Sequence, residues 1–168
     1  MTRQLILIRH AKAGDAAVDR DRPLAGRGAA EAPAIGRWLT HLRLTPDRVV
    51  LSPALRARQT WELAAAELGP TAEPVPDDRV YRNTVGDLLA IIRETPAEVS
   101  ILAVVGHNPS IQDLAVTLDD GRGDDSGRRD LTAKYPTSGV AVFAVDDAWA
   151  EARSATLTSF ATPRQRLG

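Results

Sequence analysis

Three short segments of this chain carry residue types that do chemistry together. Arg9-His10 follows the apolar run Leu5-Ile6-Leu7-Ile8. Ser52 precedes Arg56, and Gly106-His107-Asn108-Pro109 follows the run Ile101 to Val105. If the ligand is a phosphoryl group, each type has a task. A neutral imidazole has an ordinary pKa of about 6.5 and offers a free lone pair as a nucleophile near pH 7. An arginine presents a planar, permanently charged fork that matches two phosphate oxygens. A second histidine, once protonated, adds a donor and positive charge. Backbone N–H groups at the starts of helices after Ser52 and Asn108 are expected to add a favourable dipole. Positioned positive charge is most of what stabilises a phosphoryl-transfer transition state. The candidate catalytic set is His10, His107, Arg9 and Arg56. Arg9, Arg56 and His107 are also candidates for holding phosphate. The design requires no metal and no cofactor.

Each signal alone is weak. An isolated histidine at a strand end is most often structural, and Arg9 by itself is an ordinary cation. The Asp19 to Arg22 stretch reads equally well as a charged, solvated loop. The three histidines show no i, i+4 pair that would suggest a helical zinc site, and His41 sits among polar residues as a solvated side chain. Gly26 and Gly28 follow no strand and lack the third glycine of a dinucleotide fingerprint. No P-loop lysine motif is present.

The elements needed to bring these segments together are legible in the hydrophobic pattern. Gln4 to Ile8, Val49 to Leu51, Ile101 to Val105, Val140 to Val145 and Thr156 to Phe160 read as strands, with Ile101 to Val105 central. Glu73 to Pro76 suits only an edge strand because of its prolines. Helical spacing runs from Gly28 through Ala32, Ile35 and Leu39, with a kink or late start expected at Pro33. It recurs over Leu55 to Leu68, then after Thr84, which with Asp87 resembles a capping box. Asn108 and Pro109 read as N-cap and first position of a further helix. Asp119 to Asp130 holds eight charged residues in twelve and reads as a flexible charged loop. Alternating strands and helices predict an α/β fold: a three-layer α/β/α sandwich with a mainly parallel central sheet. Ligands of such sheets gather at the carboxyl ends of the strands, where all three segments fall.

Composition limits the alternatives. The chain has 168 residues, 43% hydrophobic and 26% charged, which fits one globular domain spanning 1–168. With no cysteine it has no disulfide, thiolate metal site or cysteine nucleophile. Basic and acidic residues nearly balance, 21 against 22, so nucleic acid is not an expected partner. Apolar runs fall far short of a membrane span. A soluble, cytoplasmic protein without a membrane partner is expected. Nearly all the basic residues are arginine, which matches a composition bias and also suits bidentate phosphate binding.

The three segments, in this order, resemble the histidine phosphatase (phosphoglycerate mutase-like) superfamily. Leu5 to Ala11 is similar to its strand and Arg-His-Gly signature, with Ala11 replacing the usual glycine. Ser52-Pro53-Ala54-Leu55-Arg56-Ala57-Arg58-Gln59-Thr60 resembles its second motif and Gly106-His107-Asn108-Pro109 its third. The small size, Ala11, Arg22-Pro23-Leu24 and Tyr135-Pro136-Thr137-Ser138-Gly139 resemble the SixA-type phosphohistidine phosphatase branch. The resemblance implies a phosphoglycerate mutase-like fold and a phosphatase working through phospho-His10. Arg9 and Arg56 would grip the phosphoryl oxygens, Arg22 in the loop after the first strand would be a further phosphate contact, and His107 would stabilise the group in transfer. Larger members carry a carboxylic general acid; here only Asp77 and Asp78 are candidates, and neither sits in a recognisable acid motif. An ester oxygen leaves poorly without a proton, whereas an imidazole nitrogen leaves readily. Phosphohistidine on a protein is therefore the expected substrate. The alternatives are a small-molecule phosphomonoesterase of the same fold, which requires a working acid, and a non-catalytic phospho-ligand binding module. A mutase is less favoured, since mutases of this fold are longer.

Overall fold

The computed structural model describes residues 2–167. Six strands form one sheet in the order β3-β2-β4-β1-β5-β6. They are β1 (Arg3–Arg9), β2 (Arg48–Leu51), β3 (Val75–Pro76), β4 (Ile101–Gly106), β5 (Val140–Val145) and β6 (Thr156–Ala161). The pairings of β2 with β3, β2 with β4 and β4 with β1 are parallel, and β5 runs antiparallel to β1 and β6. The proline-containing β3 lies at the edge, where its missing N–H costs least, and β4 lies between β2 and β1.

The runs of β1 and β4 are buried on both faces, which accounts for their unbroken hydrophobicity. Leu5 and Leu7 belong to one core cluster with Val104, Leu88 and Leu114. Ile6 and Ile8 belong to the other, with Val105, Ile35, Leu39 and Trp61. Helices α1 (Gly26–His41) and α2 (Leu55–Ala65) cover the second face. Helices α3 (Asp78–Arg82), α4 (Val85–Arg93), α5 (Ser110–Leu118) and α6 (Asp125–Ala133) are on the first. The expected three-layer α/β/α arrangement is present, and no helix among the described residues is long and apolar enough to cross a membrane.

Several local expectations are corrected. Helix α1 runs unbroken through Pro33; one lost N–H bond is outweighed by the buried row Ala32, Ile35, Trp38 and Leu39. Pro109 is the N-cap of α5 rather than its first residue. The charged segment 119–130 is not a loop throughout, because its second half is the first part of α6. Asp124 caps that helix by accepting from Gly127 N at 2.8 Å, and Leu131 anchors it in the core. Its charges occupy the solvent face, so their density reported exposure, not disorder. The Thr84–Asp87 cap of α4 is present.

Sheet register brings the site together. Arg9 pairs with Gly106 across β1 and β4, so the next residues, His10 and His107, emerge side by side. Leu51 pairs with Val105, which sets Ser52 on the other flank of His107.

Candidate active site

At the carboxyl ends of β1, β2 and β4 lies a cleft of about 430 Å³ lined by Arg9, His10, Arg22, Arg56 and His107 among others. All five candidate residues are thus brought together. His10 and His107 are buried, with ring centroids 5.1 Å apart.

The His10 ring is oriented by its own backbone neighbour. Its Nδ1 lies 2.8 Å from the Ala11 carbonyl oxygen, which can only accept. Nδ1 therefore carries the proton, and the lone pair of the neutral ring is on Nε2. Ala11 is held in turn by Thr60 on α2, whose hydroxyl accepts from Ala11 N at 2.9 Å and donates to the Arg56 carbonyl at 2.6 Å. Burial, and then the charges of Arg56, Arg9 and Arg22, push the His10 pKa down to about 4, against the Ala11 bond. The ring is neutral at pH 7.

His107 is fixed from the other side. Arg56 Nη2 is 3.5 Å from its Nδ1, and a guanidinium can only donate. His107 Nε2 therefore bears the proton and donates to Ser52 Oγ at 2.7 Å. Ser52 Oγ also accepts from Ala54 N at 3.2 Å, ahead of α2. Burial, followed by neighbouring His10, lowers the His107 pKa to about 3. This ring is neutral too, with its Nδ1 lone pair turned toward Arg56.

Arg9 Nη1 donates to the Tyr135 carbonyl at 2.9 Å, and its buried Nε has no partner. Arg22 Nε donates to the Gly14 carbonyl at 2.9 Å. The loop that carries Arg22 is drawn close because α1 approaches it at Gly28, where a Cβ would collide with the Lys12 carbonyl.

Sequence reasoning missed the part that Asp19, Tyr81 and Asn83 play in this lining. Asp19 accepts from Arg56 Nη2 at 3.1 Å, Arg22 Nη1 at 3.2 Å and Tyr81 hydroxyl at 2.5 Å. The Tyr81 bond, then the two arginines, hold its carboxyl far below the usual carboxylate range. Tyr81 stands edge-on to His107 at 5.7 Å, with Arg20 over its ring. Asn83 adopts a left-handed conformation at the end of α3, which asparagine tolerates. Its side chain donates to the Asn108 carbonyl and accepts from Ser110 N. Asn108 donates to the Tyr135 carbonyl.

One expectation fails geometrically. The first N–H groups of α5 are not available to a ligand: Ser110 N is taken by Asn83, Ile111 N by the His107 carbonyl and Gln112 N by Asn108. Neither Asp77 nor Asp78 lines the cleft. Asp77 caps α3 and pairs with Arg79 at 2.9 Å, and Asp78 reaches Arg20 on the surface at 3.5 Å. His41 is exposed at the end of α1. Among the described residues no group of three or more His, Asp or Glu is placed to hold a metal.

An α/β sheet that gathers two histidines and three arginines in one cleft at its strand ends defines a class of phosphoryl-handling proteins, and comparison with known proteins agrees. The family model of the histidine phosphatase superfamily (branch 1) matches residues 5–113. The chain belongs to this superfamily, and membership implies a phosphatase hydrolase. An uncharacterised protein of Mycobacterium tuberculosis is 38% identical over 162 residues, covering 94% of this chain and all of its own. A protein of Nakamurella multipartitia assigned as a phosphohistidine phosphatase SixA superposes with a TM-score of 0.84 at 32% identity, over 97% of both chains. The protein histidine phosphatase SixA in complex with tungstate superposes with a TM-score of 0.80 at 27% identity, over 96% of this chain and 97% of its own.

Proposed function

We propose that this protein is a phosphohistidine phosphatase that removes phosphate from a histidine on a protein, with His10 as nucleophile. The observation that carries this reading is the bond from His10 Nδ1 to the Ala11 carbonyl, which reserves Nε2 for phosphorus in a neutral ring. In the first step the Nε2 lone pair forms a bond to phosphorus in line with the scissile P–N bond. That bond breaks toward the substrate imidazole, which takes a proton from solvent. In the second step water attacks the phosphorus of phospho-His10. The P–N bond returns its electrons to Nε2, the water gives up a proton, and phosphate leaves. Arg9, Arg56 and Arg22 hold the non-transferring oxygens, and His107, protonated at Nδ1 as the anion enters, donates to the same group.

Two observations support phosphohistidine over an ester. Among the described residues that line the cleft, Asp19 is the one carboxylate, and three donors keep it ionised. An ionised carboxylate cannot supply the proton an alkoxide requires. The second is similarity to SixA, one structure of which binds tungstate, a phosphate-like anion.

The test compares phosphate release from a phosphohistidine peptide and from a panel of phosphomonoesters, by wild type and His10→Ala. Preference for the peptide is expected, with under about 1% of the wild-type rate left in His10→Ala, which lacks the covalent route. Preference for esters would transfer the assignment to a phosphomonoesterase. Phosphate binding without release from any substrate would make the protein a binding module.

A further inference from the structure

A second cleft is larger than the one that holds the histidines. A cavity of about 620 Å³ lies between α1, the end of α6, the Pro136–Thr137 loop and the segment after β6. Thr137 lines both cavities, so the larger begins where the phosphate cleft ends. The loop between them is built into the phosphate cleft: Tyr135 O accepts from Arg9 and Asn108, and Ser138 N donates to the carbonyls of Arg9 and His10.

The lining is suited to polypeptide. Phe160, Pro136 and Pro163 supply apolar surface. Arg27 and Glu31 neutralise each other at 3.1 Å through one carboxylate oxygen, and the other, Glu31 Oε2, is buried without a partner. A buried acceptor of this kind is costly until a donor reaches it, and a main-chain N–H of a bound segment is such a donor. Lys134 and Arg164 also line the cavity, are exposed, and form no ion pair among the described residues. Against them stands only Asp130, so the rim carries an excess of positive charge.

We propose that this second cleft seats the polypeptide flanking the phosphohistidine of a protein substrate, and that Lys134 and Arg164 select an acidic side chain in that segment. This rests on the phosphohistidine reading above and extends it to the substrate: an extended acidic segment next to the modified histidine, not a free phosphorylated metabolite. Its volume falls within the range of about 300–1,000 Å³ typical of ligand pockets. A phosphoryl group alone has no use for this cleft.

The test uses two P–N substrates, only one of which is long enough to reach the cleft: a phosphohistidine peptide with glutamates beside the histidine, and phosphoramidate itself. The Lys134→Glu/Arg164→Glu double variant should raise KM for the peptide at least tenfold, with kcat and the rate on phosphoramidate unchanged. Wild type should show a similar rise in KM when the peptide's glutamates become glutamines, a measurement that needs no variant to fold. Equal effects on both substrates, or the same KM for both peptides, would overturn the cleft assignment and leave the phosphohistidine reading standing. Release from neither phosphoramidate by wild type would overturn both.

Discussion

The carboxylate of Asp19 lies 3.1 Å from Nη2 of Arg56, and the same guanidinium donates through Nη1 to the Asp19 main-chain carbonyl at 2.9 Å. The buried cation at the floor of the cleft therefore already has an anion when no ligand is bound. An incoming phosphoryl group must share or displace it. Asp19→Asn removes a negative charge from the immediate neighbourhood of the phosphate oxygens and keeps an acceptor for Tyr81. Inorganic phosphate should bind about tenfold more tightly, which corresponds to roughly 1.4 kcal/mol, and its inhibition constant should fall accordingly. If phosphate binds more weakly instead, Asp19 acts by aiming Arg56 rather than by competing for it.

The same pair shows where sequence reasoning reached and where it stopped. His10 and His107 were legible because each ends an apolar run, and parallel strands of one sheet deliver their ends to one edge. Arg56 was legible from its place at the opening of a helix. Asp19 was not, because a carboxylate in a charged loop looks the same whether it faces solvent or a buried arginine. Tyr81 and Asn83 were hidden for a related reason: α3 is five residues long, too short for periodicity to mark a face. Segment 119–130 departs from its expectation because charge density alone does not separate a solvated helix face from a loop; Asp124 and Leu131 supply the cap and the anchor of α6. The helix that follows His107 is legible one residue out of register, but its first N–H groups serve Asn83, the His107 carbonyl and Asn108 rather than a ligand, a pairing that no local pattern announces.

Arg56→Lys should lose 100-fold or more in kcat/KM on a phosphohistidine peptide, on the order of what one transition-state donor contributes. The guanidinium in place serves three acceptors at once: the Asp19 carbonyl, the Asp19 carboxylate and His107 Nδ1. An ammonium is a point charge that cannot span them and also grip phosphate with a planar fork. Steady-state kinetics of the variant decide the matter, and a near-normal rate would show that charge alone suffices.

Asp77→Asn should leave kcat/KM within about twofold of wild type, because the side chain faces Arg79 and the start of α3 rather than the cleft. Asparagine keeps the N-cap. What is lost is one ion pair whose members are 22% and 28% exposed, so stability should fall by under about 1 kcal/mol. The bond from Arg79 lowers the Asp77 pKa. Its contribution is therefore present above the unfolded-state value and disappears as pH falls through the folded one. Loss of ester turnover in this variant would contradict the assignment of Asp77 to structure.

Burial of the two histidines makes folding itself pH-dependent, with a sign that can be worked out. His10 titrates near 4 and His107 near 3 in the folded chain, against about 6.5 when unfolded. Between about pH 4 and 6.5 the unfolded chain holds more protons, so stability rises with pH across that window and levels off above it. For His10 alone the shift corresponds to something on the order of 3 kcal/mol. Protonation below about pH 4 would also end the nucleophilicity of Nε2, so the cleft is at once most stable and competent from about pH 6.5 upward. Urea titrations from pH 4.5 to 8 should show this rise for wild type and a shallower one for His10→Ala, which keeps only the His107 share. The same slope in both proteins would mean that burial does not hold His10 neutral, and the free lone pair on its Nε2 would lose its support.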